Sequence, residues 1–258
     1  MPNPFWKSKC VWVVGASSGI GLALSQSLAS RGANVIASAR NVPALNALKL
    51  EQSELGFNVT PVPVDVIDSE AVKRCYAEIT ESVGRVDALI YCAGDWAPVD
   101  VPVIDLKQFE LQTQVNHLGL VRCVAEVLPD MVKQASGLIA GVTSASAFVP
   151  LPRAEAYGAS KAAANYFLRS LRTDVKRFGI SVFAVTPGFV DTQLTRKNDF
   201  KMPFLMSAEA AAHAILKGIE NGNSEVSPPF QLTLPLRLLG VLPRQIQERL
   251  VAAMFRRK

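Results

Sequence analysis

Short runs of β-branched and apolar residues alternate along the chain with longer stretches in which apolar positions recur at helical spacing. The runs are Cys10–Val14, Asn34–Ser38, Asn58–Val64, Ala88–Tyr91, Gly137–Thr143 and Ser181–Val185. Between them lie segments of helical length, among them Gly19–Arg31, Ser69–Gly84 and Ala154–Phe178. Strands that alternate with helices predict βαβ crossovers and a parallel sheet. Runs such as Ala88-Leu89-Ile90-Tyr91 have no polar alternation, as expected of strands covered on both faces. With no repeat or linker, the pattern predicts one domain over residues 1–258: a Rossmann-type, doubly wound parallel sheet in three α/β/α layers. After about Ser224 the alternation is expected to fail. Pro228-Pro229 breaks the chain. The apolar stretch Leu232–Leu242, interrupted by Pro235 and Arg237, and a helix over Pro243–Phe255 then form an atypical apolar and basic extension over 224–258.

Composition adds little to this and excludes several classes. The chain has 258 residues, 49% hydrophobic and 19% charged, an ordinary globular balance. Net charge is +5 and the charges are scattered, which is no nucleic-acid footprint. The exception is the end of the chain, where Arg244, Arg249, Arg256, Arg257 and Lys258 gather. A solvated helix accounts for them, and so does attraction to an anionic membrane surface. Cys10, Cys75, Cys92 and Cys123 form no CxxC pair and sit among apolar residues, so they read as buried thiols of a reducing compartment. No His/Cys/Asp cluster has metal-ligand spacing. Without a leader-like N-terminus or an apolar run of the ~18 residues that a membrane span requires, a cytoplasmic protein is expected, with peripheral membrane contact left open.

The first chemistry-bearing motif joins the first strand to the first helix: Gly15-Ala16-Ser17-Ser18-Gly19-Ile20-Gly21. Glycines at 15, 19 and 21 suit a turn whose backbone passes close to a pyrophosphate, with the N–H groups of Ser17, Ser18, Gly19, Ile20 and Gly21 and the helix dipole directed at it. The second strand ends in Ser38-Ala39-Arg40. No acid stands there to take a ribose 2′-hydroxyl. Arg40 offers a guanidinium suited to a 2′-phosphate, with Ser17 as a second donor, which favours NADP(H) over NAD.

Tyr157 and Lys161 stand at i and i+4, on one face of a predicted helix. A phenol titrates near ~10, too high for easy proton exchange at neutral pH, and a neighbouring ammonium lowers it. Ser144 lies just beyond a predicted strand, where open α/β sheets bind ligands. Asn116 lies within a long helical segment. Taken together, the glycine turn, Asn116, Ser144, Tyr157 and Lys161 resemble the classical short-chain dehydrogenase/reductase family, over roughly Lys9–Gly222.

The resemblance implies an enzyme that moves a hydride between a nicotinamide and a carbonyl or alcohol of a small, apolar substrate. It implies that Tyr157 gives or takes the proton, that Ser144 polarises the carbonyl oxygen, and that Lys161 holds the nicotinamide ribose and lowers the Tyr157 pKa. Asn116 holds a water of the relay through Lys161. Asp65 and Val66 contact the adenine, Ala93 and Gly94 let the backbone lie against the cofactor, and Pro187, Gly188, Val190 and Thr192 surround the nicotinamide. A homodimer or homotetramer on the helices near 105–135 and 154–178 is implied as well.

The chain departs from the family at Val14, which replaces a threonine, at Tyr91-Cys92, which replaces a pair of asparagines, and in its C-terminal extension. Two other readings stand beside the enzyme: a regulator that binds NADP(H) without turnover, and a peripheral membrane protein. His117 points away if Asn116 faces the site, and reads as packing. Trp96 reads equally as a cleft wall or a surface cover. The apolar residues of 191–204 fit a pocket wall or the core.

Overall fold

Seven strands, all parallel, form one sheet in the order β3-β2-β1-β4-β5-β6-β7 in a computed structural model that describes residues 3–254. In chain order they are β1 (Cys10–Val14), β2 (Asn34–Ser38), β3 (Val59–Pro61), β4 (Ala88–Tyr91), β5 (Gly137–Val142), β6 (Ile180–Val185) and β7 (Glu225–Val226). The order reverses between β1 and β4, the place where doubly wound sheets open a crevice for ligands.

Side chains of successive strand residues point to opposite faces, and here each face has its own core. Trp12 and Val14 of β1, with Leu89 and Tyr91 of β4, pack among α3 (Ser69–Val83), α5 (Gly119–Lys133) and α6 (Glu155–Val175). Val11, Val13, Ala88 and Ile90 face the other way. They pack against α1 (Gly19–Ser30), α2 (Val42–Glu54) and α7 (Ala208–Glu220). This gives the three layers that the uninterrupted apolar strands predict. The cysteines are unbonded; Cys10, Cys75 and Cys123 are buried, and Cys92 is half-buried.

Three features differ from expectation. The third strand ends at Pro61, and prolines 61 and 63 fall at positions of this edge strand whose nitrogens face away from β2. The N–H groups of Val62 and Val64 still donate to the carbonyls of Ala37 and Ala39. The long helical segment around Asn116 is not one helix. α4 (Leu106–Thr113) passes into a π-helical turn, Gln114–Leu118, before α5 begins. The alternation does not fail at Ser224, since β7 follows α7 and pairs with β6 in parallel. Two residues make too short a run to stand out in the sequence.

The extension forms α8 (Phe230–Gly240) and α9 (Arg244–Met254). The sequence expectation for Phe255 and for the cations Arg256, Arg257 and Lys258 lies outside the described residues. α8 docks by close backbone approach. A side chain at Gly188 would begin 2.6 Å from Leu232, and one at Gly240 would overlap the Phe148 carbonyl. Thr233 adds a hydroxyl bond to the Ser227 carbonyl (2.6 Å). Val149, Leu239 and Val251 make a small third core beneath α8 and α9.

Candidate active site

The turn from β1 to α1 is built around three missing side chains. Gly15 has φ +91°, and a Cβ there would lie 2.5 Å from the Ala93 nitrogen. A Cβ on Gly19 would lie 2.7 Å from the Thr192 methyl, and one on Gly21 would overlap the Gly15 carbonyl. α1 then starts with Ser18 extended and no side chain capping its first turn. The starts of α2, α3, α4 and α7 are capped by Asn41, Asp68, Asp105 and Ser207. The first N–H groups of α1 are thus left for an acceptor from outside the helix.

They face a cleft of about 450 Å³ at the C-terminal ends of the strands. Gly15, Ser17, Ser18, Gly19, Ile20 and Gly21 line it from the turn, and Arg40 from the end of β2. Asp65 and Val66 follow β3, Ala93 and Gly94 follow β4, and Pro187, Gly188, Val190 and Thr192 follow β6. Every residue the sequence assigned to a dinucleotide therefore meets in one cleft, whose glycine cradle and uncapped helix start fit a pyrophosphate. Asn41, beside Arg40, lines it too, though the sequence reading passed over it. Its side chain is visible from sequence only as a helix cap.

Ser144, Tyr157 and Lys161 line the same cleft; Asn116 does not. Ser144 follows β5, accepts a bond from the Ser146 N–H (3.2 Å) and lies close enough to Tyr157 to lower its pKa. Desolvation pushes the Tyr157 phenol up to about 12, and Ser144 is the group that pulls it back. Lys161 stands beside the phenol ring and is held by the strand before Ser144. Its Nζ donates to the Val142 carbonyl (2.9 Å) and stands 5.7 Å from the Tyr157 ring centre. Burial brings its own pKa down to about 8, against an opposing pull from Cys92.

This has a measurable consequence. Between pH 8 and about 10 the unfolded chain keeps the Lys161 proton and the folded chain does not, so raising the pH favours folding in that window. Urea unfolding of wild type against Lys161→Met should show the stability difference moving toward wild type from pH 8 to 10. A constant difference would contradict it.

Asn116 is committed elsewhere. In the π-turn its Oδ1 accepts from the Asp95 N–H (2.8 Å), while its Nδ2 donates to the Asp95 carbonyl (2.9 Å) and to Ser160 Oγ (2.9 Å). Ser160 in turn donates to the Tyr157 carbonyl (2.8 Å). The Asn116 side chain thus ties the segment after β4 to the helix that carries Tyr157. The Tyr91 departure belongs to the same construction. The Tyr91 hydroxyl, fully buried, donates to the Val115 carbonyl inside the turn (2.6 Å). His117 packs against Phe167.

A second cavity, of about 490 Å³, opens on the other side of Ser144 and Tyr157. Its walls are mainly apolar: Trp96, Phe189, Leu194, Phe200, Leu232 and Leu236. Trp96 is thus a cleft wall. It meets Tyr157 edge-on with ring centres 5.1 Å apart. It is tied to the 191–204 segment by a bond from its Nε1 to Asn198 (2.9 Å) and by Lys197 Nζ on its carbonyl (2.9 Å). No group of acids, histidines and cysteines among the described residues could hold a metal.

Known proteins resemble this chain. A family model described as short chain dehydrogenase matches residues 9–202. An "uncharacterized oxidoreductase" of Myxococcus xanthus (strain DK1622) is 37% identical over 91% of this chain and 92% of its own. A fatty acyl-CoA reductase of Acinetobacter baylyi is 33% identical over 83% of this chain and 73% of its own. The crystal structure of a short-chain dehydrogenase from Streptomyces avermitilis superposes with a TM-score of 0.82 at 23% identity, covering 96% of this chain and 97% of that one. The chain belongs to the short-chain dehydrogenase/reductase family and is an oxidoreductase of that family.

Proposed function

We propose that this protein reduces an apolar aldehyde or ketone to the alcohol with NADPH, with Tyr157 as the proton donor. The observation that carries the reading is the position of Ser144 and Tyr157 in the wall shared by the phosphate-turn cleft and the apolar cavity. A carbonyl group at that wall lies within reach of both hydroxyls. NADPH, when bound, supplies the hydride to the carbonyl carbon. Tyr157 gives its phenolic proton to the carbonyl oxygen, and Ser144 donates a hydrogen bond to that oxygen as negative charge gathers on it. Burial pushes the phenol up to about 12, so at neutral pH it carries the proton that the reduction consumes. Lys161 is assigned the nicotinamide ribose, as the family resemblance implies. Asn116 is assigned the positioning of Asp95 and, through Ser160, of the Tyr157 turn.

NADPH is preferred to NADH on the strength of Arg40, exposed at the mouth of the cleft with no acid beside it. An apolar substrate is supported by the walls of the second cavity and by the name of the acyl-CoA-reducing relative. A cytoplasmic homodimer or homotetramer is part of the reading. It is supported by the unpaired thiols and by Leu106 and Tyr166, which α4 and α6 leave exposed.

Arg40→Ala tests the cofactor assignment. One charge-assisted contact to a phosphate amounts to about 1.5–3 kcal/mol, or roughly ten- to a hundredfold. Fluorescence titration should show NADPH weakened by that factor and NADH unchanged. An equal loss for both would remove the 2′-phosphate from the argument.

A further inference from the structure

The two C-terminal helices each turn one side to the cavity or the small core and leave an apolar stripe outside. On α8 the exposed stripe is Phe230, Leu234 and Leu238, at i, i+4 and i+8. Its other side sends Leu232 and Leu236 into the cavity wall. On α9 the exposed stripe is Ile246, Leu250 and Met254, at the same spacing. The joint between the helices exposes Val241 and Leu242 as well. Met254 belongs to both regions. It is 62% exposed and it lines the cavity, so the apolar surface runs to the cavity mouth. Pro98 lines the mouth from another segment, and the chain just beyond it exposes Val101, Val103 and Ile104. Exposed apolar area on this scale marks an interaction surface.

Charge identifies the occupant. From Phe230 to the end of the sequence there are six cations, Arg237, Arg244, Arg249, Arg256, Arg257 and Lys258, against one acid, Glu248. The helical ones, Arg237, Arg244 and Arg249, are exposed among the leucines. Two copies of such a surface would bring like charges together, which disfavours self-association through it. Apolar stripes interleaved with arginines suit an anionic lipid surface, where the leucines enter the acyl boundary and the guanidinium groups stay with the headgroups.

We propose that α8 and α9 dock on an anionic membrane with the cavity mouth turned to the bilayer, so that a carbonyl compound dissolved in the lipid enters without crossing water. The docking is independent of the reaction; the entry route rests on the reading of the cavity as the substrate site.

The test is flotation of the full chain with phosphatidylglycerol/phosphatidylcholine vesicles and with pure phosphatidylcholine vesicles. Binding is expected to the anionic vesicles at low salt and to fall on the order of tenfold at high salt. Two exposed pairs, Arg244→Glu with Arg249→Glu and Leu234→Ser with Leu238→Ser, should each lower it by a similar factor. NADPH titration of both should match wild type, which shows that the fold is kept. No flotation with anionic vesicles at low salt overturns the proposal. So does flotation that neither pair weakens, and so does a dimer that the leucine pair dissociates. A chain that floats but does not bind NADPH overturns the enzyme reading and leaves the docking intact.

Discussion

Tyr157→Phe is expected to lower the rate of carbonyl reduction about 10²–10⁴-fold, the contribution typical of a positioned proton donor, while NADPH binds as it does to wild type. The substitution removes one oxygen and keeps the ring. The edge-on contact with Trp96 is made by ring atoms and survives it. Ser144 loses the phenol as a neighbouring polar group but keeps its contact with the Ser146 N–H, so its hydroxyl stays near the reacting carbonyl. The measurement is NADPH oxidation with a long-chain aldehyde, alongside NADPH titration of the same variant. Turnover within a few fold of wild type would take the proton away from Tyr157. Loss of NADPH binding would make the residue a structural element of the cleft. A wild-type protein that binds NADPH but reduces none of a broad set of apolar carbonyls would favour the regulator over the enzyme.

Gly21→Ala is the second large effect, and it acts at the other end of the cleft. The added methyl would overlap the carbonyl oxygen of Gly15, with the Cys92 Cβ 3.2 Å away on the same side. Neither neighbour is the free end of a flexible side chain, so the backbone of the turn must move. Gly15 has little room to yield, since its own conformation is left-handed and its α-carbon faces the Ala93 nitrogen. The N–H groups at the start of α1 then no longer converge on one acceptor. NADPH affinity should fall on the order of a hundredfold or more, the loss expected when several charge-assisted bonds are misaligned together. The far-ultraviolet circular dichroism should stay close to wild type, because the strain falls on the turn between β1 and α1 and not on the strands and helices as a whole. Unaltered NADPH affinity would show that the pyrophosphate does not sit on this turn.

The parts of the site that were legible in the sequence are those whose geometry is local. The glycine turn is a short contiguous segment, and Tyr157 and Lys161 are one helical turn apart, so spacing alone brings them together. Ser144 and Arg40 follow from where strands end. What sequence did not show depends on contacts between distant segments. Asn116 stands in a π-turn whose extra residue leaves no mark on hydrophobic periodicity, and its bonding to Asp95 is a tertiary fact. The Tyr157 pKa is governed by how tightly the phenol is enclosed, which spacing from Lys161 does not report. Trp96 became a cavity wall only through Asn198 and Tyr157. Leu232 and Leu236 looked like any apolar run until Gly188 and Gly240 showed where α8 packs. β7 is too short to register as a pattern.

Tyr91 occupies a recess that exists only because residue 119 is glycine. A Cβ on Gly119 would overlap the Tyr91 hydroxyl and press within about 3 Å of Val66. The tyrosine at 91 therefore depends on the glycine at 119. A relative that carries a larger residue at the position of Gly119 has no room for this tyrosine, and one that carries a smaller residue at the position of Tyr91 leaves the Val115 carbonyl to find another donor. Homologues with a side chain at the position of Gly119 are expected to lack a tyrosine at the position of Tyr91.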